Sequence, residues 1–233
     1  MFKQFQHTSE SHDSFLFRKA VFISLSSSFL MWAIKLYEWT GDKNLSFLGI
    51  YPRTLKGSIG IITSPFIHSD VFHLFSNTIP YISLTLILFY FYSKKAWEIF
   101  IWIYLTTGVW VWAFARQASH IGASGIIYGL ASFLLLSGFL TKNIRLISIS
   151  LIVLFLYGGM FYGISPTTVS EDTSWESHLL GAISGAIFAI FFKPKTKKHA
   201  PITSDNPNQQ INTTADQPIN IIYHYKEKPG DNN

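Results

Sequence analysis

The sequence predicts an all-α polytopic membrane protein, a bundle of six transmembrane helices with a polar site opening outward within the membrane. Three observations predict it. Hydrophobic residues make up 48% of the 233-residue chain and charged residues only 13%, about half the charge of an ordinary soluble domain. Six apolar runs are each long enough to cross a bilayer, which takes about 20 helical residues. Histidine, asparagine and serine recur at one depth in three of those runs. The chain has no cysteine, which excludes disulfides, Cys-ligated zinc, iron–sulfur clusters and thiol chemistry. The net charge of +5 comes mostly from short basic clusters between apolar runs, so nucleic acid is not an expected partner.

The spans fall at about 20–39, 71–92, 96–115, 124–141, 144–163 and 175–192. Residues 1–19 read as a polar N-terminal segment. The first span follows Arg18-Lys19 with no small-residue cleavage site and reads as a retained helix. The loop between the first two spans ends in the apolar stretch 59–67, too short to span and suited to the interface. Residues 193–233 begin with a basic cluster that suits a stop-transfer signal and anionic headgroups. They continue in Asn, Gln, Thr and Pro with no sustained period, and read as a disordered tail.

Basic residues set the expected orientation. One side collects Lys3, Arg18, Lys19, Lys94, Lys95, Lys142, Arg145, Lys193, Lys195, Lys197 and Lys198. The other collects Lys43, Arg53, Lys56 and Arg116, with Lys35 near the end of its span. Both termini are therefore expected in the cytoplasm.

The second span opens with His68-Ser-Asp-Val-Phe-His73 and reaches Asn77 one turn later. The fourth opens with Gly122-Ala-Ser124-Gly125 and continues to Tyr128 and Gly129. The sixth opens with Ser177-His178 and continues to Gly181 and Gly185. At 1.5 Å per residue, Asn77 lies about 26 Å from Lys94, Ser124 about 27 Å from Lys142, and His178 about 22 Å from Lys193. His73 lies about 32 Å from Lys94. Against a hydrocarbon core of about 30 Å, these groups share one layer near the outer face.

Polar groups within a membrane carry function by default. His73 and Asn77 share one helix face, as do Ser124 and Tyr128. Small residues at Gly125, Gly129 and Ser132 face a similar stripe at Gly181, Ala182 and Gly185, so spans four and six can pack closely. That packing brings His178 within reach of Ser124. A serine beside a base becomes a nucleophile. No Asp or Glu in any other span reaches this depth to orient the imidazole, so a Ser-His dyad is the natural reading, with the ring of Tyr128 as a candidate orienter. His73, the Asn77 amide and the Ser124 N–H can serve a developing oxyanion.

The simpler readings differ residue by residue. A lone membrane serine back-bonds to its own helix. His68 reads as a capping or interface residue beside Ser69 and Asp70. A metal is disfavoured, because His68 and His73 would diverge on a helix and no carboxylate completes a set. Gly181 and Gly185 read as packing. His7, His12, His120, His199 and His224 carry no motif and read as loop or tail residues.

Three features together resemble the intramembrane serine proteases of the rhomboid family, of the bacterial type with a six-helix core. They are the His-x4-His-x3-Asn run at 68–77, Gly-x-Ser-Gly at 122–125, and His178 followed by Gly181 and Gly185. The resemblance covers about residues 20–192. It implies Ser124 as nucleophile and His178 as general base. His73, Asn77 and the Ser124 amide would form the oxyanion hole, with Tyr128 packed on His178 and His68 mainly structural. It also implies transmembrane protein substrates cut near their outer boundary, no cofactor and no metal. The location implied is the bacterial inner membrane, in contact with lipid, with the oligomeric state left open. Many family members carry Trp-Arg in the first loop. Here no Trp occurs between Trp39 and Trp97, and the nearest basic residue follows proline, as Pro52-Arg53. A rhomboid-like binder that retains clients uncut, and a small transporter, are the other readings. The intact dyad weighs against the binder, and the absence of an internal repeat against the transporter.

Overall fold

The computed structural model describes residues 2–141, 143–168 and 173–193, with side-chain surroundings from residue 12 onward. The tail beyond Lys193 lies outside them. Among the described residues every named element is helical. The helices are α1 (Phe2–Thr40), α2 (Gly60–Thr63), α3 (Val71–Phe91), α4 (Ala96–Phe114), α5 (Ser124–Thr141), α6 (Ile144–Tyr157) and α7 (Trp175–Phe191). Among the described residues, five helical stretches are long and apolar enough to cross a membrane, and α7 is a shorter apolar helix of 17 residues. At 1.5 Å per residue α7 still covers about 26 Å.

Two boundaries differ from the sequence reading. The first helix does not wait for the apolar run at residue 20 but starts at Phe2, since nothing in the polar stretch breaks it. The fifth span is α-helical only to Tyr157, and Gly158–Ile164 continues as a 3-10 helix. The Gly158-Gly159 pair starts that change, where glycine lowers the preference for a regular α-helix.

Helix α5 is the centre of the bundle. It packs against α7 most extensively, and also against α6, α3 and α4, while α1 lies on α3. Leu74, Leu84, Ile103, Ile127, Leu130 and Phe133 fill the middle and are almost wholly buried. The outer surface is apolar: Phe22 is 73% exposed and Phe155 88% exposed. Such a surface suits contact with lipid.

The contact of α5 with α7 is backbone to backbone. A Cβ at Gly181 would collide with the Gly125 carbonyl oxygen, and one at Gly185 with that of Gly129. Only glycine permits this approach, as the small-residue stripes predict.

The first loop packs without the Trp-Arg pair. Three short turns, at Ser46–Leu48, Lys56–Ile59 and Ser64–Phe66, surround α2, and α2 lies against α4. Arg53 adopts a φ of 56° and reaches the open end of α4. Its N–H donates to the Trp112 carbonyl at 2.9 Å and its guanidinium to the Ala115 carbonyl at 2.8 Å. Trp112, supplied by α4 and not by the loop, donates to the Thr54 carbonyl at 2.9 Å. A cation on the last carbonyls of a helix satisfies groups that have no partner within it.

Candidate active site

Ser124, His178, His73 and Asn77 line one cavity of about 550 Å³, together with Ser69, Asp70, Ser119, Thr173 and Ser174. Three helix beginnings deliver them. Asp70 caps α3, its carboxylate accepting from the His73 N–H at 2.8 Å. That bond holds the Asp70 carboxyl below its ordinary value, with the Ser69 hydroxyl as the next cause. Asp70, and not His68, is therefore the capping residue.

His68 instead sits just ahead of the cap and is 2% exposed. Its ring meets that of His73 edge-on, with centroids 5.0 Å apart. The expected divergence of the two rings required both to lie on the helix, and His68 lies before it. Burial pushes the His68 imidazole down to about 3, with neighbouring His73 as the second cause. It is therefore neutral at ordinary pH. Lys35, from α1, donates to the carbonyls of His68 at 2.9 Å and Ser69 at 3.0 Å, and pairs with Glu38 at 3.2 Å. A lysine that the sequence places merely near a span end thus ties the first helix to the entrance of α3.

Gly122 has a φ of +101°, a conformation that side chains disfavour. A Cβ there would stand 2.8 Å from His73 Nε2 and 3.9 Å from Asn77 Nδ2. The glycine thus lets the chain pass directly over both side chains before α5 begins. The Asn77 amide is buried, and one of its protons goes to the His73 carbonyl at 2.9 Å. His73 Nδ1 is 3.1 Å from the Ser69 hydroxyl. Ser124 is the first residue of α5. At that place there is no preceding helical turn to back-bond to, and the first N–H groups have no partner within the helix.

His178 stands on the first turn of α7, one residue beyond Ser177, whose carbonyl would be 3.2 Å from a Cβ at Gly125. The imidazole is buried and stacks on the Tyr128 ring, with centroids 4.2 Å apart and planes 6° from parallel. Its Nδ1 lies 2.8 Å from the Gly163 carbonyl. A carbonyl can only accept, so Nδ1 carries the proton and Nε2 of the neutral ring is left as an acceptor. Tyr128 donates its hydroxyl to the Met160 carbonyl at 2.8 Å. The 3-10 segment that replaces the end of the fifth span is thus bonded to both stacked rings. Sequence reasoning gives the orienting role to Tyr128 alone and has no signal for the Gly163 carbonyl. It also leaves His120 as an unremarkable loop residue, yet His120 is 2% exposed and bonded at both ring nitrogens. His7 and His12 lie on α1, while His199 and His224 fall outside the described residues.

A buried imidazole with a fixed tautomer, a serine at a helix start and amide donors in one cavity can carry acyl transfer. A family model described as Rhomboid domain matches residues 56–195. Uncharacterized proteins of Mycobacterium tuberculosis and Mycobacterium bovis are each 33% identical over 180 residues, covering 72% of this chain and 73% of the relative. One from Mycobacterium leprae is 33% identical over 184 residues, covering 72% and 70%. No solved structure matches the chain.

Proposed function

The chain belongs to the rhomboid family, and on that premise we propose that it is an intramembrane serine endopeptidase working through a Ser124–His178 dyad. It is a multi-pass membrane protein. The observation that carries the reading is the bond from His178 Nδ1 to the Gly163 carbonyl at 2.8 Å. It commits one nitrogen as donor and leaves Nε2 as the base, in the cavity that Ser124 also lines.

The steps follow from that assignment. Nε2 takes the Ser124 hydroxyl proton as Oγ attacks the carbonyl of a transmembrane substrate. The negative charge that develops on the carbonyl oxygen meets the Ser124 N–H, the second proton of the Asn77 amide and His73. For His73 to donate from Nε2, the Ser69 proton must turn to Nδ1, or the ring must carry both protons. Ser69 can supply that turn, since its hydroxyl lies 3.1 Å from Nδ1 and 2.7 Å from the Asp70 carboxylate. The imidazolium of His178 then protonates the departing amine, and water repeats the sequence on the acyl-enzyme. Stacking on Tyr128 supports the transient cation, as an aromatic face does. No cofactor or metal enters the scheme.

The basic-residue asymmetry supports a cell-membrane protein with both termini in the cytoplasm and the cavity opening to the outer side. The test is labelling by a fluorophosphonate, read together with cleavage of a transmembrane substrate by the purified protein. Wild type is expected to label at Ser124 and to cut. Ser124→Ala and His178→Ala should each abolish both, and the double variant should be little worse than either. Retention of a transmembrane client that survives Ser124→Ala, with no labelling of wild type, would make the protein a binder instead.

A further inference from the structure

His120 has both ring nitrogens engaged, and no step proposed above uses it. It lies in the connection from α4 to α5, four residues before Ser124, and is 2% exposed. Nε2 is 3.0 Å from the Arg116 carbonyl. Nδ1 is 2.5 Å from the Ser174 hydroxyl, which is 2.6 Å from the Ser177 hydroxyl. The proton order follows from the inventory of donors. A carbonyl only accepts, so Nε2 holds the ring proton and Nδ1 accepts from Ser174. Ser174, having given its proton, accepts from Ser177. Burial holds the His120 imidazole below its ordinary value, which keeps it in the neutral form that this order needs.

The backbone around His120 is equally committed. His120 and Ile50 exchange two N–H to carbonyl bonds, each of 2.9 Å, and the Gly122 N–H donates to the Ser64 carbonyl at 2.9 Å. The connection that ends in Ser124 is therefore pinned to the first loop on one side.

Ser174 shows what the chain of hydroxyls is for. It is the N-cap residue of α7, where a serine hydroxyl ordinarily accepts from an N–H of the first turn. Here it makes no capping bond. The hydroxyl bonds the His120 ring on one side and the Ser177 hydroxyl on the other, and takes no N–H of the first turn. Arg116 makes a second tie from the same connection, to the Thr173 carbonyl at 3.0 Å and the Glu176 carboxylate at 3.5 Å. His178 lies four residues past Ser174, on the turn whose start these bonds hold. A helix start freed from them can rotate, and the imidazole rotates with it.

We propose that His120 is a positioning residue, whose hydrogen-bond chain through Ser174 and Ser177 sets the register of the His178 helix against the Ser124 connection. The inference rests on the hydrolase reading above. It assigns His120 no contact with substrate. What it sets is the approach of nucleophile to base, where an error of about 1 Å can cost about 100-fold in rate.

The test uses the full-length protein in detergent or lipid. Four quantities are measured: the rate constant for fluorophosphonate labelling per folded molecule, kcat, KM for a transmembrane substrate, and melting temperature. His120→Ala and Ser174→Ala are each expected to lower the labelling rate and kcat about 10- to 100-fold, with KM changed by no more than about twofold. Their combination should be little worse than either alone. Ser174→Thr, which keeps the hydroxyl, should recover most of the rate. If His120→Ala does not fold, the Ser174 pair of variants carries the comparison. Labelling at the wild-type rate in variants that lose only melting temperature would overturn the proposal and leave the hydrolase reading intact. Wild type that fails to label at Ser124 would overturn both.

Discussion

The rings of Tyr128 and His178 lie parallel within 6°, with centroids 4.2 Å apart, and the tyrosine hydroxyl is bonded elsewhere, to the Met160 carbonyl. The two parts of the side chain therefore separate experimentally. Tyr128→Phe keeps the stack and loses one hydrogen bond, for about 1 kcal/mol of stability and a small change in kcat. Tyr128→Ala removes the stack as well. It should lower kcat at least tenfold more than Tyr128→Phe, measured on a transmembrane substrate. Equal kcat in the two variants would show that the stack contributes nothing to catalysis.

The donors proposed for the oxyanion should respond in a graded way. Asn77→Ala and His73→Ala are each expected to slow cleavage about 100- to 1,000-fold, the usual cost of losing one such donor. Both should keep a cooperative melt. Turnover at the wild-type rate in Asn77→Ala would remove that residue from the hole.

The helix contact at the centre of the bundle predicts a contrast between glycines. Gly185→Ala drives a methyl into the Gly129 carbonyl oxygen, whereas a methyl at Gly159 would meet nothing within 4 Å. Overpacking of this kind costs about 1–3 kcal/mol or more. Thermal melts should show Gly185→Ala strongly destabilised and Gly159→Ala close to wild type.

His68 should make the fold acid-sensitive. Its imidazole is pushed from an ordinary 6.5 down to about 3 by burial. Between those values the unfolded chain holds a proton that the folded chain does not, so stability rises with pH. The contribution is complete above about pH 6.5 and is lost as pH falls toward about 3, with a slope of up to about 1.4 kcal/mol per pH unit. His68→Phe should flatten the melting temperature between pH 7 and pH 5 relative to wild type. An unchanged slope would count against the burial argument.

Orientation can be read with single cysteines, because the chain has none of its own. Lys56 and Lys94 are both exposed and lie at opposite ends of α3 and its preceding loop. An impermeant thiol reagent on intact cells is expected to label Lys56→Cys and to spare Lys94→Cys. The reverse pattern would invert the topology.

Periodicity and depth are what a sequence encodes legibly. Ser124, His178, His73 and Asn77 can be brought to one layer by counting residues from the basic ends of their helices, and they do line one cavity. The approach of α5 to α7 is legible because it needs small residues at four-residue spacing. The rest lies in the connections, which carry no period. The pairing of His120 with Ser174 spans 54 residues and crosses two helices. His68 reads as a cap only because it neighbours the true cap, Asp70, two residues on. Arg53 can be named, but its target is the end of α4, which no motif announces.

The 3-10 segment Gly158–Ile164 has a consequence for how the site would look to genetics. The atom that fixes the tautomer of His178 is a main-chain oxygen, and every amino acid offers the same one. A scan that replaces side chains one at a time would find no side chain bonded to Nδ1 of His178. Position 163 would register only because a larger residue there collides with Tyr128, and the collision would be taken for a packing defect. The orienting group would stay hidden from mutagenesis. Its persistence depends on the path of the chain, so divergence among relatives at 158–164 would be tolerated wherever that path is kept and position 163 stays a glycine.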